Sequence, residues 1–355
     1  MINIEHLIKE MPVGYEAACF SEKAIERKRN IKHPNVLMKL CLLHLLNGCS
    51  LAEVSAIASI EKLGEVSNVA FMKRFEKCNG WFKWIISQLV ASDNVLYQKP
   101  EWLKDYRVIA VDASDVREKG CSGRLYRLHF ALDLFKMEGL QYKITTNKTG
   151  ETLRNFEVNK GDLFIADRAY ISINGIEHCL NKEGNFIIRL RKNSFKLYDS
   201  SDKMGEEIDL LSLLKRLGDN EEVLDLNVYA NGSNGERIPL RVCAKRKNPD
   251  ALIKTQKRLK RTQSKSGRKI SECAKAFNEY IVLITNLRDK ITTNQVLETY
   301  RLRWQVEIYF KRLKSIMDFG ELPKRREESI MTWLNGKLMI MLMIENIIRE
   351  ADFSP

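Results

Sequence analysis

The chain has 355 residues, of which 44% are hydrophobic and 30% charged. That balance fits two or three globular domains and excludes wholesale disorder. The charge is less ordinary: 59 Lys and Arg face 46 Asp and Glu, a net +13, which implies a polyanionic partner, either nucleic acid or an anionic membrane surface.

The longest apolar run, Leu338 to Ile344, has seven residues. A spanning helix needs ~20, so no membrane segment is expected. The start, MINIEHLIKEMP, carries acids early and lacks the basic-then-apolar pattern of an export signal. The eight cysteines are scattered and form no CxxC, which argues for reduced thiols over a zinc site or disulfide framework. The expectation is a cytoplasmic protein.

Residues 1–100 read as a helical N-terminal region. Asn35 can cap a helix over VLMKLCLLHLLNG, stopped by Gly48. Ser50 and Glu53 make a capping box that opens a short helix to about Ala58. Ser67 or Asn68 starts another, NVAFMKRFEK. Two short helices around a glycine-containing connection resemble a helix-turn-helix, whose second member would carry Lys73, Arg74 and Lys77 toward DNA. A structural helix bundle gives the same pattern.

From residue 106 the pattern changes. YRVIAVDAS, LYRLHFALDL and LQYKITT are strand-like, with turn signals between them. A helix-like stretch near ETLRNF, the strand LFIAD, a helix from Ile173 to about Lys182 and the strand NFIIRL follow. Three strands and then alternating helix and strand predict a mixed α/β sheet. Residues 191–277 interrupt it as a β-containing insertion with candidate strands EEVLDLNVY and RIPLRVCA. Between Lys245 and Lys275 stand twelve Lys and Arg against Asp250 and Glu272, a net +10 out of the chain's +13. A block this long marks a solvated face or a contact with a phosphate backbone, where counterion release favours binding. Lys257, Arg258, Lys260 and Arg261 lie at its centre.

NEYIVLITNL then reads as a further strand, followed by a long helix from about Thr293 to Met317 and an apolar tail helix from Glu327 to Arg349. On the long helix, Tyr300, Arg303, Glu307 and Lys314 fall in one ~60° arc at about 100° per residue. An exposed face laced with ion pairs gives the same spacing. Two strand-end aspartates add to it: Asp112 follows VIAV and Asp167 follows LFIA. Strand-end aspartates often merely start turns, yet two of them with a later glutamate also suit a hard divalent cation. Two such ions about 3.5–4 Å apart can clamp both oxygens of a phosphodiester displacement. The sequence has no GxxxxGK[ST], HExxH or GxSxG.

The spacing Tyr-x2-Arg-x3-Glu-x6-Lys, met by Tyr300, Arg303, Glu307 and Lys314, resembles the signature of the insertion-sequence-4 family of bacterial DDE transposases. IADRAY is similar to that family's second-aspartate region, with Asp167, Arg168 and Tyr170 in matching places, and VDAS to its first. VLITNL resembles the strand before the signature helix. The likeness covers roughly residues 105–320.

The resemblance implies a mixed α/β chain. A ribonuclease-H-like catalytic domain (101–190 and 278–355) would carry a basic, β-rich insertion (191–277) and be preceded by a helical DNA-binding domain (1–100). It implies Asp112, Asp167 and Glu307 as catalytic metal ligands for two Mg²⁺ ions, with Mn²⁺ able to substitute. Arg168, Tyr300, Arg303 and Lys314 would grip DNA phosphates. The activity implied is cleavage at inverted-repeat ends and transfer of the 3′-OH into target DNA. The partners are double-stranded DNA and a second copy of the chain, in the bacterial nucleoid.

Several readings remain open. Asp115 competes for the first position, Asp133 for a supporting one and Lys311 for the place of Lys314. Some family members stack a flipped base on an aromatic residue, often tryptophan. Here the five tryptophans lie outside the insertion, which offers Phe195, Tyr198 and Tyr229 instead. A decayed transposase acting as a repressor, or a nuclease that cuts without joining, would share most of these features.

Overall fold

The computed structural model describes residues 4–27, 30–90, 98–118, 124–136, 138–202, 204–218, 222–267, 269–288, 290–304, 307, 321–322 and 326–352. Six helices come first: α1 (Ile4–Lys9), α2 (Tyr15–Ser21), α3 (Pro34–Leu45), α4 (Leu51–Ile60), α5 (Asn68–Glu76) and α6 (Asn79–Val90). The Ser50–Glu53 capping box forms as expected, and Ser67, not Asn68, caps α5. Asn35 does not cap α3. Its N-cap is His33, and Pro34 takes the first helical position, where a missing N–H costs nothing.

Strands β1 (Arg107–Glu118), β2 (Arg124–Asp133) and β3 (Glu138–Thr146) form an antiparallel meander. The ETLRNF stretch is a single 3₁₀ turn, Leu153–Asn155. Next come β4 (Asp162–Ala166), α7 (Ile173–Leu180), β5 (Asn185–Arg189), β6 (Leu197–Tyr198), α8 (Leu210–Lys215), β7 (Val223–Asn231) and β8 (Arg237–Arg246). They are followed by α9 (Pro249–Ser266), α10 (Glu272–Phe277), β9 (Tyr280–Thr285), α11 (Thr293–Arg301), β10 (Glu321–Leu322) and α12 (Glu327–Asp352).

One sheet runs β3-β2-β1-β4-β5-β9-β8-β7-β6, with β10 paired to β1. β4 and β5 are parallel to β1 and to each other, while β9, β8 and β7 add antiparallel. The mixed α/β expectation holds, and the order β3-β2-β1-β4-β5 is consistent with a ribonuclease-H-like core. The insertion is less separate than its sequence suggests, because β7 and β8 extend the same sheet. Its basic stretch is largely a helix, α9. Asn248 caps that helix, Pro249 opens it and Gly267 closes it at φ 65, a left-handed conformation that favours glycine.

The sheet has a core on each face. One joins the N-terminal helices, α11 and α12 to side chains such as Ala110, Ile165, Ile187, Cys243 and Leu283. The other packs α7 and α8 against Val111, Ala166, Ile188 and Ile284. The tail helix α12 therefore belongs to the core. Thr332 donates to the Glu76 carbonyl at 3.1 Å and Asn335 to the Asn79 side chain at 2.7 Å. Gly336 lets α12 approach Leu45 so closely that a Cβ there would lie 2.5 Å from a leucine methyl.

Candidate active site

Strand register builds the site. Ala110 of β1 pairs with Ile165 of β4, and Ile165 with Ile187 of β5. Side chains alternate along a strand. The residues two places further on, Asp112, Asp167 and Arg189, therefore stand side by side on the face that carries α11. Arg189 continues the row to Leu283 and Cys243 on β9 and β8. Neighbouring strands lie about 4.8 Å apart, which makes the two aspartates close neighbours. Backbone N–H groups orient them: Ala113 donates to Asp112 at 2.8 Å and Ala169 to Asp167 at 2.6 Å.

Burial dominates the electrostatics of this row. It pushes the Asp112 carboxyl up to about 6, reinforced by Asp167 and Glu151 and opposed by the Ala113 N–H and the Arg303 guanidinium. Past the aspartates the charge reverses. Arg189 is lowered from the usual arginine value, first by burial and then by Arg168, Arg258 and Arg303, with Tyr300 opposing. Lys247 is pushed down to about 8 by burial, then by Arg189, Arg258 and Arg168, with Glu279 opposing. Its ammonium donates to Thr255 Oγ1 at 3.0 Å and to the Asn278 carbonyl, which seats α9 against the end of β8.

Arg241 of β8 delivers α11 to this row. Its guanidinium pairs with Asp225 and donates to the carbonyls of Leu287, Arg288 and Ile291, fixing the loop that enters the helix. Thr292 and Gln295 then form a capping box. The expected continuous helix from Thr293 to Met317 is interrupted. α11 ends at Arg301, and the N–H groups of Leu302 and Arg303 tighten to i→i+3 bonds. Trp304 and Glu307 are helical again beyond this break. Tyr300 nevertheless packs at the face with the Arg303 guanidinium 5.9 Å from its ring centroid, and Arg303 forms an ion pair with Glu307. Lys314 and Lys311 lie outside the described residues.

A family model described as the transposase DDE domain matches residues 103–343, more than half of the chain. The chain belongs to the DDE transposase family. It is 27% identical over 353 residues to the putative transposase InsL for insertion sequence element IS186A of Escherichia coli (strain K12), covering 97% of this chain and 93% of that protein. It is also 27% identical to the transposase for insertion sequence element IS421 of Escherichia coli, with the same coverage over 354 residues. The transposase for IS1151 of Clostridium perfringens is 26% identical over 233 residues, 61% of this chain and 47% of that protein. The family makes this chain an enzyme, a DNA transposase of the insertion-sequence kind that uses divalent metal. No described helix is long and apolar enough to cross a membrane.

The transposase brings some expected residues together and keeps others apart. Asp112, Asp167, Arg168, Arg258, Tyr300 and Arg303 share one electrostatic neighbourhood. Glu307 is held by Arg303, and among the described residues no three His, Cys, Asp or Glu side chains lie close enough to share a metal ion. Asp115 is paired with Arg127 at 2.9 Å, and Asp133 accepts from the backbone of Phe135 and Lys136. Lys73 is exposed, but Arg74 is spent inside the N-terminal region, donating to the carbonyls of Ala24 and Arg27. Lys257, Lys260 and Arg261 are exposed on α9.

Sequence reasoning missed Arg189, Lys247 and Glu151, whose charge helps to raise the Asp112 carboxyl. A charged residue directly after an apolar run, as after VIAV and LFIA, could have flagged Arg189, which follows FII and ends β5. Nothing local marks Lys247, which reaches the site only through the pairing of β8 with β9.

Proposed function

We propose that this transposase cleaves DNA at the inverted-repeat ends of its insertion sequence and transfers the exposed 3′-OH into target DNA. Asp112 and Asp167 would hold the divalent cation, with Glu307 joining them after releasing Arg303. The donor set fits. Two neighbouring carboxylates are hard oxygen ligands, and a cation beside Asp112 relieves the charge that burial penalises. Mg²⁺ in two sites, with Mn²⁺ as a substitute, is the metal proposed. When bound it supplies positive charge that activates a water nucleophile and stabilises the leaving oxygen.

The chain's own residues hold the DNA. Arg168, Arg189, Arg258 and Arg303, with Lys247 between them, form a cationic wall beside the aspartates that suits phosphate oxygens. Lys314 joins them in this reading, as do Lys257, Lys260 and Arg261 along α9 and Lys73 in the N-terminal helices. Tyr300 packs beneath Arg303 and orients it. Two ends must be held at once, so a homodimer on DNA is part of the proposal, within the bacterial cytoplasm.

The observation that carries this reading is the row Asp112, Asp167, Arg189 on adjacent strands. Asp167 directly follows β4 and Arg189 ends β5, whereas Asp112, expected at a strand end, lies within β1, which continues to Glu118 because β2 pairs with it that far. The test is cleavage of a DNA end in Mg²⁺ or Mn²⁺ by the wild type and by Asp167→Ala. Cleavage by the variant should fall by about 10²- to 10³-fold, the scale on which single transition-state charge stabilisers act. End binding should persist. Normal cleavage by Asp167→Ala would sink the assignment.

A further inference from the structure

Tyr170 is fully buried, and its hydroxyl has no hydrogen-bond partner. Its ring lies against Phe156 with centroids 6.4 Å apart, and its backbone N–H closes the turn on the Asp167 carbonyl at 3.2 Å. After burial, the groups that most perturb this hydroxyl are Asp112, Glu151 and Asp167, in that order. A buried donor left without a partner is a cost to the free protein. Phenylalanine would fill the same space without that cost, so packing does not explain the oxygen.

We propose that Tyr170 is a positioning residue for the metal site: with a divalent cation bound, its hydroxyl donates to the Asp112 carboxylate oxygen that the metal leaves free. This rests on reading Asp112 and Asp167 as metal ligands. A ligating carboxylate has one oxygen to spare, and a hydrogen bond to it fixes the angle at which the other faces the metal. The arrangement trades a penalty in the empty protein for order in the loaded one.

The test compares full-length wild type with Tyr170→Phe. Mn²⁺ is titrated by calorimetry, with and without end DNA, and thermal melts are recorded without metal. The variant should melt at the same temperature or higher, yet bind Mn²⁺ roughly 10- to 100-fold more weakly, the range seen when a hydrogen-bond partner of a metal ligand is removed. Its cleavage should need correspondingly more metal but recover its maximal rate at saturation. Unchanged Mn²⁺ affinity overturns the inference, as does a lower melting temperature without metal, which would show that the hydroxyl already has a structural partner. A wild type that binds no Mn²⁺ under either condition overturns the ligand reading, and this inference with it.

Discussion

At the Asp112 end of the strand row, burial raises a carboxyl to about 6; near the Lys247 end, burial lowers an ammonium to about 8. Both shifts have the same cause, since removing water penalises whichever form carries charge. They differ in what would relieve them. The acidic end wants a cation, and the basic end, crowded with Arg168, Arg189 and Arg258, wants an anion. Arg303 spans the two, sensed by Asp112 and paired with Glu307. The two ends would be relieved together by a phosphodiester lying between a metal and the arginines.

The widest break in this comparison comes from stripping the basic half. On α9, Lys254, Arg258, Arg261 and Lys265 are exposed and fall in one arc of about 60°. Thr255, Leu259 and Gln263 turn inward. If this stripe tracks a DNA backbone, neutralising all four to Gln should flatten the dependence of log K on log salt by about 0.9 for each phosphate no longer neutralised. Changing Lys257 and Lys260, which point elsewhere on the helix, should flatten it less. Equal slopes for the two variants would mean that α9 is only a solvated face.

The unequal legibility of the two halves has a physical origin. Asp112 and Asp167 could be found because a carboxylate directly after an apolar run leaves a local mark, although β1 itself continues past Asp112 to Glu118, and the parallel pairing of β1 with β4 brings the two runs into register. The caps at Ser50 and Asn248 are equally local. Arg189, Lys247 and Arg258 meet only because β8 and β9 pair and α9 folds back through Lys247 and Thr255. That is long-range register, which no window of sequence contains. The break after Arg301 escaped for a related reason. The spacing of Tyr300, Arg303 and Glu307 suits one straight helix, and nothing in it announces a tightened turn.

At the acidic end, Asp112→Asn should stabilise the metal-free protein while destroying cleavage. The raised carboxyl sets the sign. Between about pH 4, where an unfolded aspartate ionises, and about pH 6, where the folded one does, the folded state binds more protons. Wild-type stability therefore falls as pH rises through that window and stays lower above it. Asparagine removes the dependence. Its advantage above pH 6 has an upper bound of about 3 kcal/mol at 1.36 kcal/mol per unit, or a few degrees of melting temperature. Mg²⁺ should then stabilise the wild type and not the variant. Superimposable melting profiles from about pH 4 to pH 7 would remove burial as the reason Asp112 needs a cation.

At the basic end the signs invert, which separates the two halves in one titration. Free Lys247 loses its proton near pH 8, and a bound phosphate would restore it. Above that pH, binding must take up a proton, so DNA affinity should fall with rising pH, approaching tenfold per unit by linkage. The free protein responds oppositely. An unfolded lysine holds its proton to about 10.4, so this group makes folding more favourable as pH climbs from about 8 to 10. Lys247→Met should abolish the extra pH dependence of binding and, at pH 7, weaken binding by roughly the worth of a single lysine–phosphate ion pair. Burial pushes Tyr300 upward, away from the window. An affinity that stays level from about pH 7.5 to 9.5 would place Lys247 in the scaffold that seats α9, leaving Arg189 and Arg258 to hold the phosphate.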